Sequence, residues 1–150
     1  MKRTVLALVL LLAACSRETG TGNDAILYQS NSATLSPGVQ PVRVGEGGSA
    51  SRACAGTGQV FNLSPAGEAY LPVRAAPFAE ADEVLRLNEG APLFLCTRSI
   101  DQRWQGVVVP PADAPNSDCG ATAALAGPQD YRGPCKSGWV ATAFVRPTTP

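Results

Sequence analysis

The cysteines carry most of the reactive chemistry in this sequence, which has five of them and no histidine. Without histidine the chain lacks the commonest general base and a leading zinc ligand, so Ser-His and Cys-His catalysis and His-based metal sites are excluded within it. If Cys15 is set aside, Cys54, Cys96, Cys119 and Cys135 remain. An even number predicts two disulfides in an exported chain, and three pairings are open. Because there is no Cys-x-x-Cys pair and an exported chain enters an oxidising compartment, we expect no metal site. We expect no catalytic thiol, because that would need an unpaired cysteine and a base.

An acidic cluster is the second chemical candidate. Glu80, Asp82 and Glu83 follow Pro77 closely and are able to ligate calcium or to act as an acid and base pair. A solvated loop is the commoner role of such a cluster. We therefore predict no metal, no cofactor and no enzymatic activity for this chain.

The N-terminus has the organisation of an export signal. Met1-Lys2-Arg3 precedes eleven mostly apolar residues, 4–14, which as a helix span roughly 16 Å, too short to cross a bilayer. The segment Leu12-Ala13-Ala14-Cys15 then resembles the lipobox of bacterial lipoproteins. That resemblance implies a signal peptide over residues 1–14 and diacylglyceryl and fatty acyl groups, such as palmitate, on Cys15. An ordinary signal peptide with an incidental cysteine is the alternative.

The lipid anchor has consequences for location and partners. Two or three acyl chains, at about 0.8 kcal/mol per buried CH₂, hold a protein stably on a membrane. Ser16 follows the cysteine where an inner-membrane lipoprotein usually has Asp, so the expected location is the outer membrane, facing the periplasm. Removal of Lys2 and Arg3 leaves ten basic against twelve acidic residues, which gives no reason to expect nucleic-acid binding.

Residues 15–53 are rich in Ser, Gly, Thr, Asn and Pro and contain few apolar residues. This composition predicts a lipidated flexible tether, because it buries too little surface to offset the entropy of ordering. The short apolar runs Ala25-Ile26-Leu27-Tyr28 and Val42-Arg43-Val44 are candidates for docking, and the second is able to pair at a sheet edge.

Short strands separated by turn residues predict an all-β domain over residues 54–150. The predicted strands are Gly58 to Leu63, Tyr70 to Arg74, Glu83 to Asn88, Pro92 to Arg98 and Arg103 to Val109. Alternation within the strands predicts a core, which comprises Phe61, Leu71, Val73, Leu85, Leu87, Leu93, Leu95, Val107, Val109, Val140 and Val145.

Four segments in this order resemble a bacterial SH3 (SH3b-like) domain. They are Tyr70-Leu71-Pro72-Val73-Arg74 up to Pro77, the segment from Glu83 to Gly90, Trp104-Gln105-Gly106-Val107-Val108, and Gly138-Trp139-Val140. The resemblance covers about residues 69–146 and implies a small SH3-like barrel, closed by a short helical turn and a last strand. Residues 110–137 form an insertion where that family usually has a tight turn.

The insertion bears on the cysteine pairing. Cys119 and Cys135 both lie within it, which favours their pairing, and Cys54 with Cys96 would then join the start of the domain to its third strand. Each bridge is expected to contribute roughly 3 to 4 kcal/mol. A domain with so few core residues needs this stabilisation.

The resemblance also implies a ligand surface, since SH3-type folds bind peptides on exposed aromatic grooves and the bacterial relatives are often linked to cell-wall peptides or glycans. The candidate residues are Trp104, Trp139, Tyr70, Tyr131 and Arg103. The alternative is that both Trp rings are buried at the barrel ends, with each indole N–H satisfied. Arg98, Arg103, Arg132 and Lys136 are also able to form a basic rim for carboxylates, or are scattered surface charge.

The expected function is therefore that of an exported, lipid-anchored SH3-like binding module of the bacterial cell envelope, recognising peptidoglycan or an envelope protein. A structural or assembly subunit of an envelope complex, without a small ligand, is the alternative.

Overall fold

The computed structural model describes residues 38–64, 66–67 and 69–148 of the chain. These ranges contain eleven strands and one 3-10 turn, Thr142–Phe144, and no α-helix. The strands are β1 (Arg43–Val44), β2 (Ser51–Arg52), β3 (Gly56–Val60), β4 (Leu71–Arg74), β5 (Glu83–Leu87), β6 (Pro92–Arg98), β7 (Trp104–Val109), β8 (Ala124–Leu125), β9 (Gln129–Asp130), β10 (Lys136–Ala141) and β11 (Val145–Thr148). The predicted all-β class is confirmed.

Seven of these strands form one antiparallel sheet in the order β11-β3-β6-β7-β10-β4-β5. The predicted strands that became β4 to β7 end within one residue of their expected bounds. The hydrogen-bonded order is open, because β5 and β11 at its two ends do not pair with each other. No described helix is long and apolar enough to cross a membrane. The predicted signal peptide and the lipid-bearing Cys15 lie outside the described residues.

One face of the sheet carries the predicted core. Apolar side chains from both ends of the strand order meet in a single cluster, so the sheet curls around it. Its buried members are Val60, Leu71, Val73, Leu87, Leu93, Val107, Val109, Val140 and Val145, with Leu85 and Leu95 packed at its margin. The prediction of Phe61 as a core residue is wrong. Val60, at 1% exposure, faces the core instead, and the half-buried Phe61 ring lies under Arg146, whose Cζ is 5.4 Å from the ring centroid.

The opposite face of the same strands has a second apolar cluster, which strand alternation explains. Val108 and Trp139, neighbours of Val107 and Val140 along the strands, point to this side and are buried. Val42 and Val44 pack against them from the segment before the sheet, and parts of the insertion complete the cluster.

The tether prediction needs correction over residues 38–53. β1 pairs with β9 and β2 pairs with β8, so this segment forms two short antiparallel ladders with the insertion. Val42 and Val44 are 1% and 2% exposed. Their burial against a covering layer supplies the apolar surface that composition alone did not indicate. The remainder of the predicted tether, residues 15–37, lies outside the described residues.

Both predicted disulfides are present. Cys54 is bonded to Cys96, which sits where the register between β6 and β7 shifts, and Cys119 is bonded to Cys135 within the insertion. The first bridge fixes the segment that precedes β3 to the middle of the large sheet. The second closes the insertion just before β10 begins.

Candidate functional site

The aromatic residues predicted as a ligand surface lie in different environments. Trp139 is 2% exposed, and its indole Nε1 donates a hydrogen bond to the Gln40 carbonyl oxygen at 2.7 Å. Its ring is therefore used inside the second cluster, beneath the segment that carries Gln40. Trp139 is therefore not exposed to a ligand, which corrects its prediction as a ligand-binding residue. It has the alternative role given above, that of a buried ring with a satisfied N–H.

Tyr131 has a structural role in the insertion. Its hydroxyl donates to the Cys119 carbonyl oxygen at 2.8 Å and accepts the Cys135 backbone N–H at 3.2 Å, so it joins the two sides of the disulfide loop. Partial burial raises the pKa of its phenol above the usual value, because desolvation disfavours the phenolate. A phenol fixed in this way supports the insertion rather than a ligand.

Trp104 and Arg103 lie next to each other at the start of β7. Trp104 is half-buried at the margin of the second cluster, and its backbone N–H donates to the Ser99 hydroxyl at 3.0 Å. Arg103 is exposed, and its backbone N–H donates to the Asp101 carboxylate at 3.1 Å. The hydrogen bond from Ser99 is the first cause of a lowered pKa at Asp101, followed by that N–H. The turn is ordered, but it does not join the other candidates in one groove.

Tyr70 is held at the β4 and β5 side of the sheet. The Arg86 guanidinium carbon lies 4.3 Å from its ring centroid, and Arg86 also pairs with the Glu83 carboxylate. Both partners of this cation–π contact belong to the β4 and β5 end of the strand order, and Tyr70 is not among the residues that pack in the second cluster with Trp139.

A groove of about 650 Å³, which the sequence did not indicate, has the size of a ligand cleft. One wall is formed by residues 85–92, from β5 through the following turn to the start of β6. The other wall is formed by residues 109–112, 115 and 134–136, at the base of the insertion. Its size lies within the roughly 300 to 1,000 Å³ that ligand sites commonly have.

The turn wall is fixed by Glu89. Its two carboxylate oxygens accept the backbone N–H groups of Asn62 at 3.0 Å and Leu63 at 2.9 Å. Gly90, with a φ of +79°, donates to the Val60 carbonyl at 2.9 Å and so completes the turn in a conformation that favours glycine. These bonds attach the turn to the chain that leaves β3.

The insertion wall is rich in proline. Together with Pro92 across the groove, the prolines that line it are Pro110, Pro111, Pro115 and Pro134. Backbone turns fold this wall, with Ala114 donating to the Pro111 carbonyl and Ser117 donating to the Ala114 carbonyl, each at 3.0 Å. Because proline has no N–H, the wall presents rings and carbonyl oxygens but few backbone donors. The sequence signal for this wall was the Pro110-Pro111 pair immediately after β7, inside an insertion of unknown conformation.

The charged side chains that line the groove differ in whether they have partners within the described residues. Its lining contains three charged side chains, Arg86, Glu89 and Lys136. Arg86 is engaged by Glu83 and Tyr70, and Glu89 by two backbone N–H groups. Lys136 is exposed, and its ammonium makes no ion pair or hydrogen bond with the part of the chain that the structure describes. An anionic group of a ligand would therefore meet one available cation.

A second depression, of about 330 Å³, adjoins the groove and shares Gly90, Pro92, Pro110 and Pro115 with it. Its remaining lining is more polar and includes Gln59, the backbone of β3 and the insertion residues Asn116 and Ser117. The two depressions therefore lie next to each other, on either side of the four shared residues.

Comparison with known proteins adds no relative: no family model, no curated protein and no solved structure matches this chain. Within the described ranges, no group of His, Cys, Asp and Glu side chains is arranged to hold a metal ion. The case for a function therefore rests on the groove and on the sequence.

Proposed function

We propose that this chain is an exported, lipid-anchored, SH3-like binding module of the bacterial cell envelope, and that it binds peptidoglycan or an envelope protein without catalysing a reaction. The observation that carries this proposal is the groove between residues 85–92 and the base of the insertion. Its walls are held by a carboxylate-capped turn on one side and a disulfide-closed loop on the other. Rigid walls around an open apolar cleft suit recognition, because little ordering is needed on binding.

The order of elements along the chain supports the SH3-like assignment. β10, which contains Gly138-Trp139-Val140, is followed directly by the 3-10 turn Thr142–Phe144 and by β11. This is the ending that the resemblance implies. β4, β5, β6 and β7 likewise carry the earlier segments in the expected sequence. This chain departs from that pattern in the insertion, in the added strand β3 between β11 and β6, and in a strand order that does not close into a barrel.

The two disulfides support export, since such bonds persist in oxidising compartments and are rare in the cytosol. The anchor itself is testable in cells that make the full chain. We expect radiolabelled palmitate to be incorporated into the wild-type chain and the protein to fractionate with membranes. The Cys15→Ser variant should lose both properties. A wild-type chain that is unlabelled and recovered from the cytosol would disprove the anchor and the location.

Binding is tested with the full chain in its oxidised form. We expect it to sediment with purified peptidoglycan sacculi, or to be crosslinked in membranes to one defined protein. Sedimentation with sacculi identifies the polymer as ligand, and crosslinking without sedimentation identifies a protein partner. If neither occurs, the binding proposal is wrong. If the chain instead copurifies as a fixed-stoichiometry subunit of a larger complex and the groove tolerates substitution, the assembly role replaces it.

A further inference from the structure

We infer that the groove takes an extended peptide whose aliphatic side chains lie between the proline-rich wall and β5, and whose carboxylate is bound by Lys136. The inference rests on the proposed binding function and specifies the ligand. It also moves the ligand site away from the aromatic residues that the sequence favoured.

The shape of the site favours an extended chain. The groove and the adjoining depression share Gly90, Pro92, Pro110 and Pro115 in their linings, so a ligand longer than either depression would extend from one into the other. An extended peptide has this elongated form, and β-strand geometry lets alternate side chains point into the floor.

The composition of the walls favours aliphatic side chains. Leu85 and Ala91 are half-buried on one side, and the rings of Pro111 and Pro134 are exposed on the other. Burial of such surfaces against an aliphatic side chain is favourable. The lining therefore favours a peptide with aliphatic side chains.

The charges favour a carboxylate on that peptide. Glu89 and Arg86 are already engaged within the chain, so Lys136 is the charge available to a ligand. An ammonium at the edge of an apolar groove complements a carboxylate and repels a second cation. Either a free C-terminus or an acidic side chain supplies this group, and the same test separates the two sources.

The fold holds Lys136 in place. It is the first residue of β10, where it pairs with Val109 of β7, and it follows Cys135, whose disulfide to Cys119 closes the insertion. Tyr131 binds the backbone of both cysteines. The backbone on both sides of Lys136 is thus fixed, so the base of its side chain stays at the edge of the groove, and the flexible four-carbon stem lets the ammonium reach a carboxylate there.

The test uses the oxidised full chain and a display library of random hexapeptides with free C-termini. We expect enrichment of aliphatic residues together with a carboxylate, at the C-terminus or on an acidic side chain. The best synthetic peptide is then measured by fluorescence anisotropy in its free-acid and amidated forms. Loss of binding on amidation identifies the C-terminus as the source, and retention together with loss on Glu→Gln or Asp→Asn substitution in the peptide identifies the side chain.

Three variants test the position of the ligand. Lys136→Gln should weaken the peptide about three- to fivefold, as expected for an exposed ion pair, and Lys136→Arg should retain binding. Ala112→Glu adds a carboxylate to the insertion wall and should weaken it about tenfold. Arg132→Gln removes an exposed cation of the same insertion that does not line the groove, and it should have no effect. Raised salt should also weaken wild-type binding more than Lys136→Gln binding.

The outcomes are distinct. Absence of enrichment, or an enriched peptide that Lys136→Gln and Ala112→Glu bind as well as wild type, overturns the inference. If sacculi or an envelope protein still bind such variants normally, the proposed function stands and only its assignment to this groove fails. If peptides bind in the groove but no envelope component binds the chain, the inference stands and the proposed envelope function fails.

Discussion

The indole Nε1 of Trp139 donates a hydrogen bond to the carbonyl oxygen of Gln40 across 99 positions of sequence, at 2.7 Å. The same Gln40 donates its own N–H to the Ala75 carbonyl at 2.9 Å, so the segment before β1 is fastened to the sheet by both of its backbone groups. Val42 and Val44, which follow, are buried in the second cluster. The Trp139 ring, which a ligand was expected to contact, is thus covered by the chain itself.

Replacement of Trp139 by Phe should destabilise the protein by about 2 kcal/mol. The change removes the donor to Gln40, leaves a partly buried acceptor without its partner and opens space beside Val108. Trp104→Phe is the matched control, because Trp104 is only half-buried and makes no side-chain hydrogen bond with the described residues. It should cost less than about 1 kcal/mol. Urea unfolding of both variants measures the difference, and equal losses would mean that the Trp139 contact contributes little.

The sequence predicted the core on one face of the large sheet, but it did not predict the layer that covers the opposite face. Alternation in β4 indicated one apolar face, because the inward Leu71 and Val73 alternate with Pro72 and Arg74 there. In β7 and β10 consecutive residues such as Val107 and Val108 are both apolar, since both faces of these strands are covered. That pattern indicates that a second layer covers the sheet, but it does not identify the residues of that layer. Residues 42–54 and the insertion form it, and their two-residue strands pair only with segments that are distant in the sequence.

Gly138 should not tolerate a side chain. A Cβ at this position would lie 2.5 Å from Val73 Cγ1 and 2.7 Å from the Arg74 carbonyl oxygen, because β4 is the antiparallel neighbour of β10 and pairs with it at the next residue, Trp139. Gly138→Ala should therefore cost about 1 to 3 kcal/mol through overpacking. In Gly127→Ala the new Cβ would meet nothing within 4 Å, so this variant should stay within about 0.5 kcal/mol of wild type. The unfolding midpoints of both variants and of wild type, measured by thermal unfolding, test this prediction. A Gly138→Ala midpoint equal to that of wild type would disprove the close approach.

The two disulfides should contribute different amounts. Cys54 and Cys96 are 42 positions apart and Cys119 and Cys135 are 16 apart, so the first closes the longer loop in the unfolded chain. Paired replacement by Ala should cost about 4 kcal/mol for the first bridge and about 3 kcal/mol for the second. Guanidinium unfolding of the two double variants, each beside wild type, measures these losses. If removing the shorter loop costs more, local packing around Tyr131 outweighs the constraint on the unfolded chain.

The candidate site shows why aromatic residues misled the sequence analysis. A ring is equally suited to a ligand surface and to a core, and only burial distinguishes the two. Trp139 is buried because the segment that carries Gln40, 99 positions earlier in the chain, covers its ring. The groove, in contrast, is made by proline rings, a glycine turn and one lysine, none of which is unusual in composition. They become a site because Glu89 and the Cys119–Cys135 bridge hold two distant stretches of chain opposite each other.

Tyr131 should make the stability of the protein depend on alkaline pH. Partial burial raises its pKa above the usual 10.0, so the protonated phenol contributes its hydrogen bonds fully below pH 10.0. That contribution is lost as the pH rises through the raised pKa of the folded state. At pH 8 wild type should be about 1 to 2 kcal/mol more stable than Tyr131→Phe, because the variant leaves the Cys119 carbonyl without its donor. Urea unfolding between pH 8 and pH 11 should show this difference shrinking above pH 10, and the other tyrosines are common to both proteins. A difference that stays constant with pH would contradict the titration of Tyr131 as the cause.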